Sequence, residues 1–129
     1  MRVIEEQMLA AIEDYKNWKC RNTEVRIDPV VGGSEVEVYL HGHLIAKRYF
    51  FGSDKAYIGE WEICLCRWNT PTTRSRLNAI IGSLAKLGRP GQWPSGAGVS
   101  TNRGVITLRD ARGETTIDSF DWHKVVVRL

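Results

Sequence analysis

Apolar residues at Ile4, Met8, Ala11, Ile12 and Tyr15 follow the i, i+4, i+7, i+8, i+11 spacing of one helical stripe. They predict an amphipathic helix over about Val3–Tyr15, with Glu5 and Glu6 at its N-terminal dipole and Lys16 at its C-terminal end. After a polar connection, Asn17–Asn22, the period changes to two. Thr23–Asp28 places Thr23, Val25 and Ile27 on one face and Glu24, Arg26 and Asp28 on the other. Pro29 and Gly32-Gly33 mark a turn. Glu35–His41 alternates again, with Val36, Val38 and Leu40 inward and Glu35 and Glu37 outward, and Gly42 joins it to Leu44–Phe50 as a hairpin. Phe51–Gly59 reads as a loop. Glu60–Trp68 is apolar on both faces at its centre, as in a central or doubly covered strand.

The second helix has the clearest boundaries. Thr70 suits the N-cap, Pro71 the first helical position and Gly88 the C′ position, while Leu77, Ile80, Ile81, Leu84 and Leu87 form the stripe. A long Gly/Pro-rich loop follows, Arg89–Gly104, of a length more often functional than merely connecting. Strands at Val105–Arg109 and Glu114–Ile117 flank the turn Asp110–Gly113, and Trp122–Leu129 reads as a last strand. The order α-β-β-β-β-α-β-β-β predicts an α+β domain over residues 1–129, an antiparallel sheet of about six to seven strands with two helices packed on one face.

Length and composition fit one globular core: 129 residues, 43% hydrophobic and 26% charged. No stretch approaches the roughly 18 apolar residues of a membrane span, and the acid-containing N-terminus does not resemble a secretory signal. With three cysteines and no disulfide pattern, a cytoplasmic setting without membrane contact is expected. The net charge of +3 conceals a strong asymmetry. Residues 63–109 carry seven basic side chains and no Asp or Glu, so the whole positive excess lies on Arg67, Arg74, Arg76, Lys86, Arg89, Arg103 and Arg109. Either these side chains form one basic face, or they scatter and pair with acids from the rest of the chain.

The segments KNWKCRNTEV (16–25), VYLHGHLIAK (38–47) and RWNTPTTRSRLNAII (67–81) resemble a family of small proteins encoded in bacteriophage and prophage genomes. The similarity covers roughly residues 1–88 and is most specific in the W-N-T-x-T-T-R-S-R-L-N stretch. It implies a phage accessory protein acting in a bacterial host cytoplasm, and it carries over no activity and no catalytic residue.

Several segments bear on chemistry. The second helix opens with Thr72, Thr73, Arg74, Ser75 and Arg76 where acids are usual, which predicts a socket for an anion, external or internal. Arg89, Trp93 and Arg103 lie in or at the end of the glycine-rich loop, where Arg and Trp can stack on single-stranded bases or Trp93 can fold back on the core. Gly96-Ala97-Gly98 is not a nucleotide fingerprint, and no cofactor motif is present. Cys64-x-Cys66 on a strand places its residues about 7 Å apart, too wide for one tetrahedral ion, and His41 and His43 read as turn-flanking surface residues. Trp61 and Trp122 read as core anchors, and Trp18, Trp68 and Trp93 as binding-surface aromatics. On the second helix the face of Ser75, Ala79, Gly82, Ser83 and Lys86 is small enough to be covered, by the 89–104 loop or by a second copy in a homodimer, or else simply exposed.

No catalytic constellation stands out, so binding is expected rather than catalysis, with no metal and no cofactor. The candidate anion or nucleic-acid site is Arg67, Trp68, Thr72, Thr73, Arg74, Arg76, Arg89, Trp93 and Arg103. The partner is a nucleic acid or other polyanion. The alternative is a host or phage protein, such as a host enzyme or defence complex, modulated through the same Arg/Trp surface.

Overall fold

The computed structural model describes residues 2–51, 61–87 and 97–125. Its elements run α1 (Val3–Glu13), β1 (Trp18–Cys20), β2 (Thr23–Val30), β3 (Gly33–Leu40), β4 (His43–Phe51), β5 (Trp61–Ile63), α2 (Pro71–Leu87), β6 (Gly98–Asn102), β7 (Val105–Asp110), β8 (Gly113–Ile117) and β9 (His123–Val125). The chain is α+β with antiparallel pairing throughout. The strands divide into a six-stranded sheet, β1-β2-β3-β4-β5-β9, and a three-stranded sheet, β6-β7-β8.

The predicted alternation sets the core. Val25, Val36, Val38, Leu40, Ile45 and Ala46 point inward from the large sheet and join Met8 and Ala11 of α1 and Leu77, Ile80, Ile81 and Leu84 of α2. Val99, Ile106, Leu108 and Ile117 of the small sheet complete the same cluster. The second sheet exists because β6, predicted as loop, runs beside α2 and not beside a strand of the large sheet. Asn78 on α2 accepts the Val99 N–H through Oδ1 and donates through Nδ2 to the Val99 carbonyl at 3.1 Å. One side chain thus satisfies both backbone groups of a strand residue, as a neighbouring strand would.

Elsewhere the structure departs from the pattern for identifiable reasons. α1 stops at Glu13, and Tyr15 turns the chain with φ of 52°. The supposed connection 17–22 contains β1, so Trp18 packs partly buried against the core instead of offering a binding surface. Trp61 is a core residue at 2% exposure, but Trp122 is 37% exposed, lying on the outer face beneath the Lys47 ammonium, 4.5 Å from its ring centroid. The strand expected to reach Trp68 ends at Ile63. Of the loop expected over the small-residue face of α2, residues 88–96 lie outside the described residues, and β6 near its far end is tied to α2 through Asn78. α1 meets the N-terminal end of that face, where the Ser75 hydroxyl donates to Glu5; Ala79 is buried, and among the described residues nothing lies within 4 Å of where a Cβ on Gly82 would sit.

Candidate functional site

The early end of β5 is caused by a tight turn. Trp68 N–H donates to the Leu65 carbonyl at 2.9 Å, and the two central residues, Cys66 and Arg67, have φ of 54° and 66°. Such turns are usually written with Gly, Asn or Asp, and each bulkier residue held there costs about 1 kcal/mol or more. Neighbouring bonds impose the conformation. Cys66 Sγ lies 2.8 Å from the Leu44 carbonyl, and Arg67 N–H donates to the Ser119 carbonyl at 2.6 Å. The turn also corrects the expected cysteine spacing: the Cys64 and Cys66 sulfurs are 3.6 Å apart, because the backbone curls between them. Burial and the neighbouring Cys64 push the Cys66 thiol up to about 12, so it stays protonated near neutral pH. Among the described residues no group of three or more metal-capable side chains gathers.

The turn presents Arg67 and Trp68 to solvent, at the end of the molecule where other tight turns also converge. The β1–β2 tip carries Arg21 at φ 53°, the β3–β4 tip His41 at 51°, and the β6–β7 tip Arg103 at 52°. The chain of contacts joining them is continuous. His41 N–H donates to the Asn22 carbonyl at 2.8 Å, and the His43 ring lies 5.5 Å from that of Trp68. Trp68, His41, His43, Leu40, Ile45 and Leu65 surround a cavity of about 170 Å³, closed on its other side by Thr70, Thr72 and Thr73 at the start of α2. Beyond it, Arg74 donates to the Asn69 carbonyl at 3.2 Å and to its side-chain oxygen, while Asn69 Nδ2 reaches Thr101 of β6 at 3.4 Å. Arg103 stands two residues further along that hairpin.

Among the described residues, none of Arg21, Arg67, Arg74 and Arg103 has a carboxylate within 4 Å. Arg76 is different. It is 3% exposed and lies inside the protein, its guanidinium 2.8 Å from Glu5 Oε2 and 3.0 Å from Thr23 Oγ1. It locks α1, α2 and β2 together and presents nothing to a ligand. The Glu5 carboxyl is raised by burial, but the bonds from Ser75, Arg76 and the Arg2 N–H outweigh that and hold it below the ordinary carboxylate range. The helix opening is likewise satisfied within the fold. Thr73 N–H donates to Thr70 Oγ1 at 3.1 Å, and the buried Thr73 hydroxyl pairs with Thr70 at 2.9 Å. Thr70 is thus the cap and Thr73 the residue it satisfies at the edge of the cavity, and the internal acid of the anion socket reaches the side chains of Ser75 and Arg76, not the backbone N–H groups.

Of the nine residues anticipated, Arg67, Trp68, Thr72, Arg74 and Arg103 gather at this end, Thr73 and Arg76 serve the fold, and Arg89 and Trp93 lie outside the described residues. Sequence reasoning missed Arg21 as a contributor, because the polar run 17–22 predicts a connection and not a hairpin. It also placed His41 and His43 correctly at a turn without bringing that turn to the cavity.

A family model described as Kyanoviridae Gp96 protein matches residues 1–121, nearly the whole chain. The chain belongs to that family of phage proteins. The match extends beyond the segment whose motifs suggested a phage family and takes in every element but β9, with the whole turn cluster. No curated protein matches the chain. No solved structure matches it. No helix among the described residues is long and apolar enough to cross a membrane.

Proposed function

We propose that this phage protein works by binding nucleic acid, or a polyanion of the same character, at the end formed by Arg21, Arg67, Arg74 and Arg103. The observation that carries the reading is the identity of the residues at positive φ. Of the six non-glycine residues at positive φ among the described residues, Tyr15 and Cys66 apart, Arg21, His41, Arg67 and Arg103 occupy turn positions where Asn or Gly is less strained, and the contacts above draw their turns toward one end of the molecule. Strain kept at several neighbouring positions, each exposing a cationic or titratable side chain, is better explained by use of those side chains than by folding. Thr72 and the two histidines add hydrogen-bonding groups around the cavity, and Arg favours phosphate through its planar fork.

The test exploits the same strain. Arg67→Asn with Arg103→Asn places a residue that tolerates positive φ at both turns, so stability should hold or rise slightly. Binding to mixed-sequence nucleic acid, followed by fluorescence anisotropy across a salt series, should weaken, and the slope of log K against log salt should fall by about 0.7–0.9 for each phosphate no longer neutralised. Equal affinity and slope in the variant would refute the reading. A host or phage protein captured equally well at high salt, and after nuclease treatment, would favour protein binding through this surface instead.

A further inference from the structure

The same end exposes aromatic rings on backbone that is firmly tied. Phe120 is 62% exposed and Trp68 53%. Phe120 lies in the segment between β8 and β9, where the Asp118 carboxylate accepts the N–H groups of Phe120 at 2.9 Å and Asp121 at 2.8 Å and lies 3.4 Å from His123 Nε2. The backbone donors of Asp121 and Phe120 hold the Asp118 carboxyl down at about 2, so it remains an acceptor throughout the neutral range. The segment is also bonded to the strained turn, through Arg67 N–H to the Ser119 carbonyl and the Cys64 thiol to the Phe120 carbonyl at 3.5 Å. The Arg67 guanidinium lies 5.4 Å from the Phe120 ring centroid, near the outer limit of a cation–π contact, which leaves most of the ring uncovered. Trp68 is the next residue along the chain, and it leans on His43.

Two exposed rings are thus held at this end, one of them beside a guanidinium that has no carboxylate partner among the described residues and precedes the other in the chain. We infer that Trp68 and Phe120 are a stacking platform for unpaired bases, so that the ligand at this end is a single-stranded nucleic acid; the inference rests on the nucleic-acid reading above. In a duplex the base faces are already stacked on one another and only base edges reach the grooves, so protruding ring faces gain little. In a single strand every base offers a free face, and Arg67, beside the Phe120 ring and adjacent to Trp68 in the chain, can meet a phosphate of the same strand or stack in turn. Asp118 directs its carboxylate to the N–H groups of its own segment, and both it and Asp121 are exposed acids bordering the platform.

Anisotropy titrations of the full chain with labelled oligothymidylate and oligouridylate of about twelve nucleotides, and with a duplex of matching length, test this directly. Single strands should bind more tightly than the duplex. The difference between the two single strands reads whether the sugar contributes. Phe120→Ala should weaken single-strand binding about tenfold with melting unchanged, Phe120→Trp should restore it, and duplex binding should stay within about twofold. Trp68→Ala should act in the same direction, but because Trp68 also lines the cavity, the exposed Phe120 position carries the decision. Duplex bound as tightly as single strands, or Phe120→Ala without effect, would overturn the platform. If binding were then still abolished in the Arg67→Asn, Arg103→Asn variant, the polyanion reading would stand alone. Failure of all probes to bind at low salt would remove both.

Discussion

Replacing Arg76 by Met isolates the most consequential polar interaction in the fold. Arg76 and Glu5 have side-chain exposures of only 4% each and are 2.8 Å apart. Methionine fills most of the volume but leaves the Glu5 carboxylate buried with Ser75 as its strongest remaining partner, and leaves Thr23 Oγ1 without the guanidinium donor. Breaking one half of a buried pair costs about 3–5 kcal/mol. At about 4 °C per kcal/mol for a chain of this size, the melting temperature should fall by roughly 12–20 °C. Glu5→Leu with Arg76→Met removes both charges together. That double variant should recover most of the deficit and can equal or exceed the parent, because neither charge then has to be desolvated. Urea and thermal unfolding of the parent, both single variants and the double variant complete a mutant cycle. The destabilisation should also depend on pH in a defined sense. The Glu5 carboxyl titrates below its ordinary value in the folded state, so its stabilisation is present above about pH 4.5 and disappears as pH falls through the lowered value. A cost under about 1 kcal/mol for Arg76→Met, or a double variant as unstable as the worse single, would show that the pair is effectively solvated. The reassignment of Arg76 from binding to structure would then fail.

Two further outcomes concern residues away from the candidate site. Burial, a shared hydrogen bond with Asp28 and the charges of Asp28 and Glu35 raise the Glu37 carboxyl to about 7, so the folded state holds that proton more tightly than the unfolded chain and stability declines between about pH 4.5 and 7. Glu37→Gln should therefore stabilise the protein by about 1 kcal/mol at pH 8, after allowance for solvent screening, and leave it unchanged at pH 4, as read by melts at both values. Gly98 has φ of 146°, and a Cβ there would lie 2.5 Å from Asn78 Oδ1. Gly98→Ala should cost about 2–3 kcal/mol by displacing the amide that satisfies Val99, and unchanged unfolding would show that β6 does not depend on Asn78.

The local pattern of this chain was enough for its local structure. The 3.6-residue stripe of α1, the two-residue alternation of β2 and β3, and the Thr70-Pro71 start of α2 each depend on neighbours a few residues apart, and each forms where the pattern places it. The acid-free composition of residues 63–109 was equally visible, but it did not separate Arg67, Arg74 and Arg103 from Arg76 and Arg109, which pair with Glu5 and Glu114. Tertiary structure decided the rest, because the deciding partners are distant in sequence. Arg76 meets Glu5 across 71 positions and becomes structural, although nothing beside it distinguishes it from Arg74. β6 is a strand because β7 pairs with it from Gly98 to Asn102 and Asn78 of α2 satisfies Val99 on its other edge, partners that no propensity at Gly98–Asn102 encodes. Cys66 and Arg67 leave an otherwise apolar strand because Leu44 and Ser119 hold the turn from other elements. Phe120 has no distinguishing pattern around it in the sequence and acquires its meaning only when the segment pinned by Asp118 brings it beside Arg67. A side chain's periodicity reports which face it occupies. Whether its charge is neutralised, or its ring left open to solvent, is set by whichever remote segment the fold brings against it.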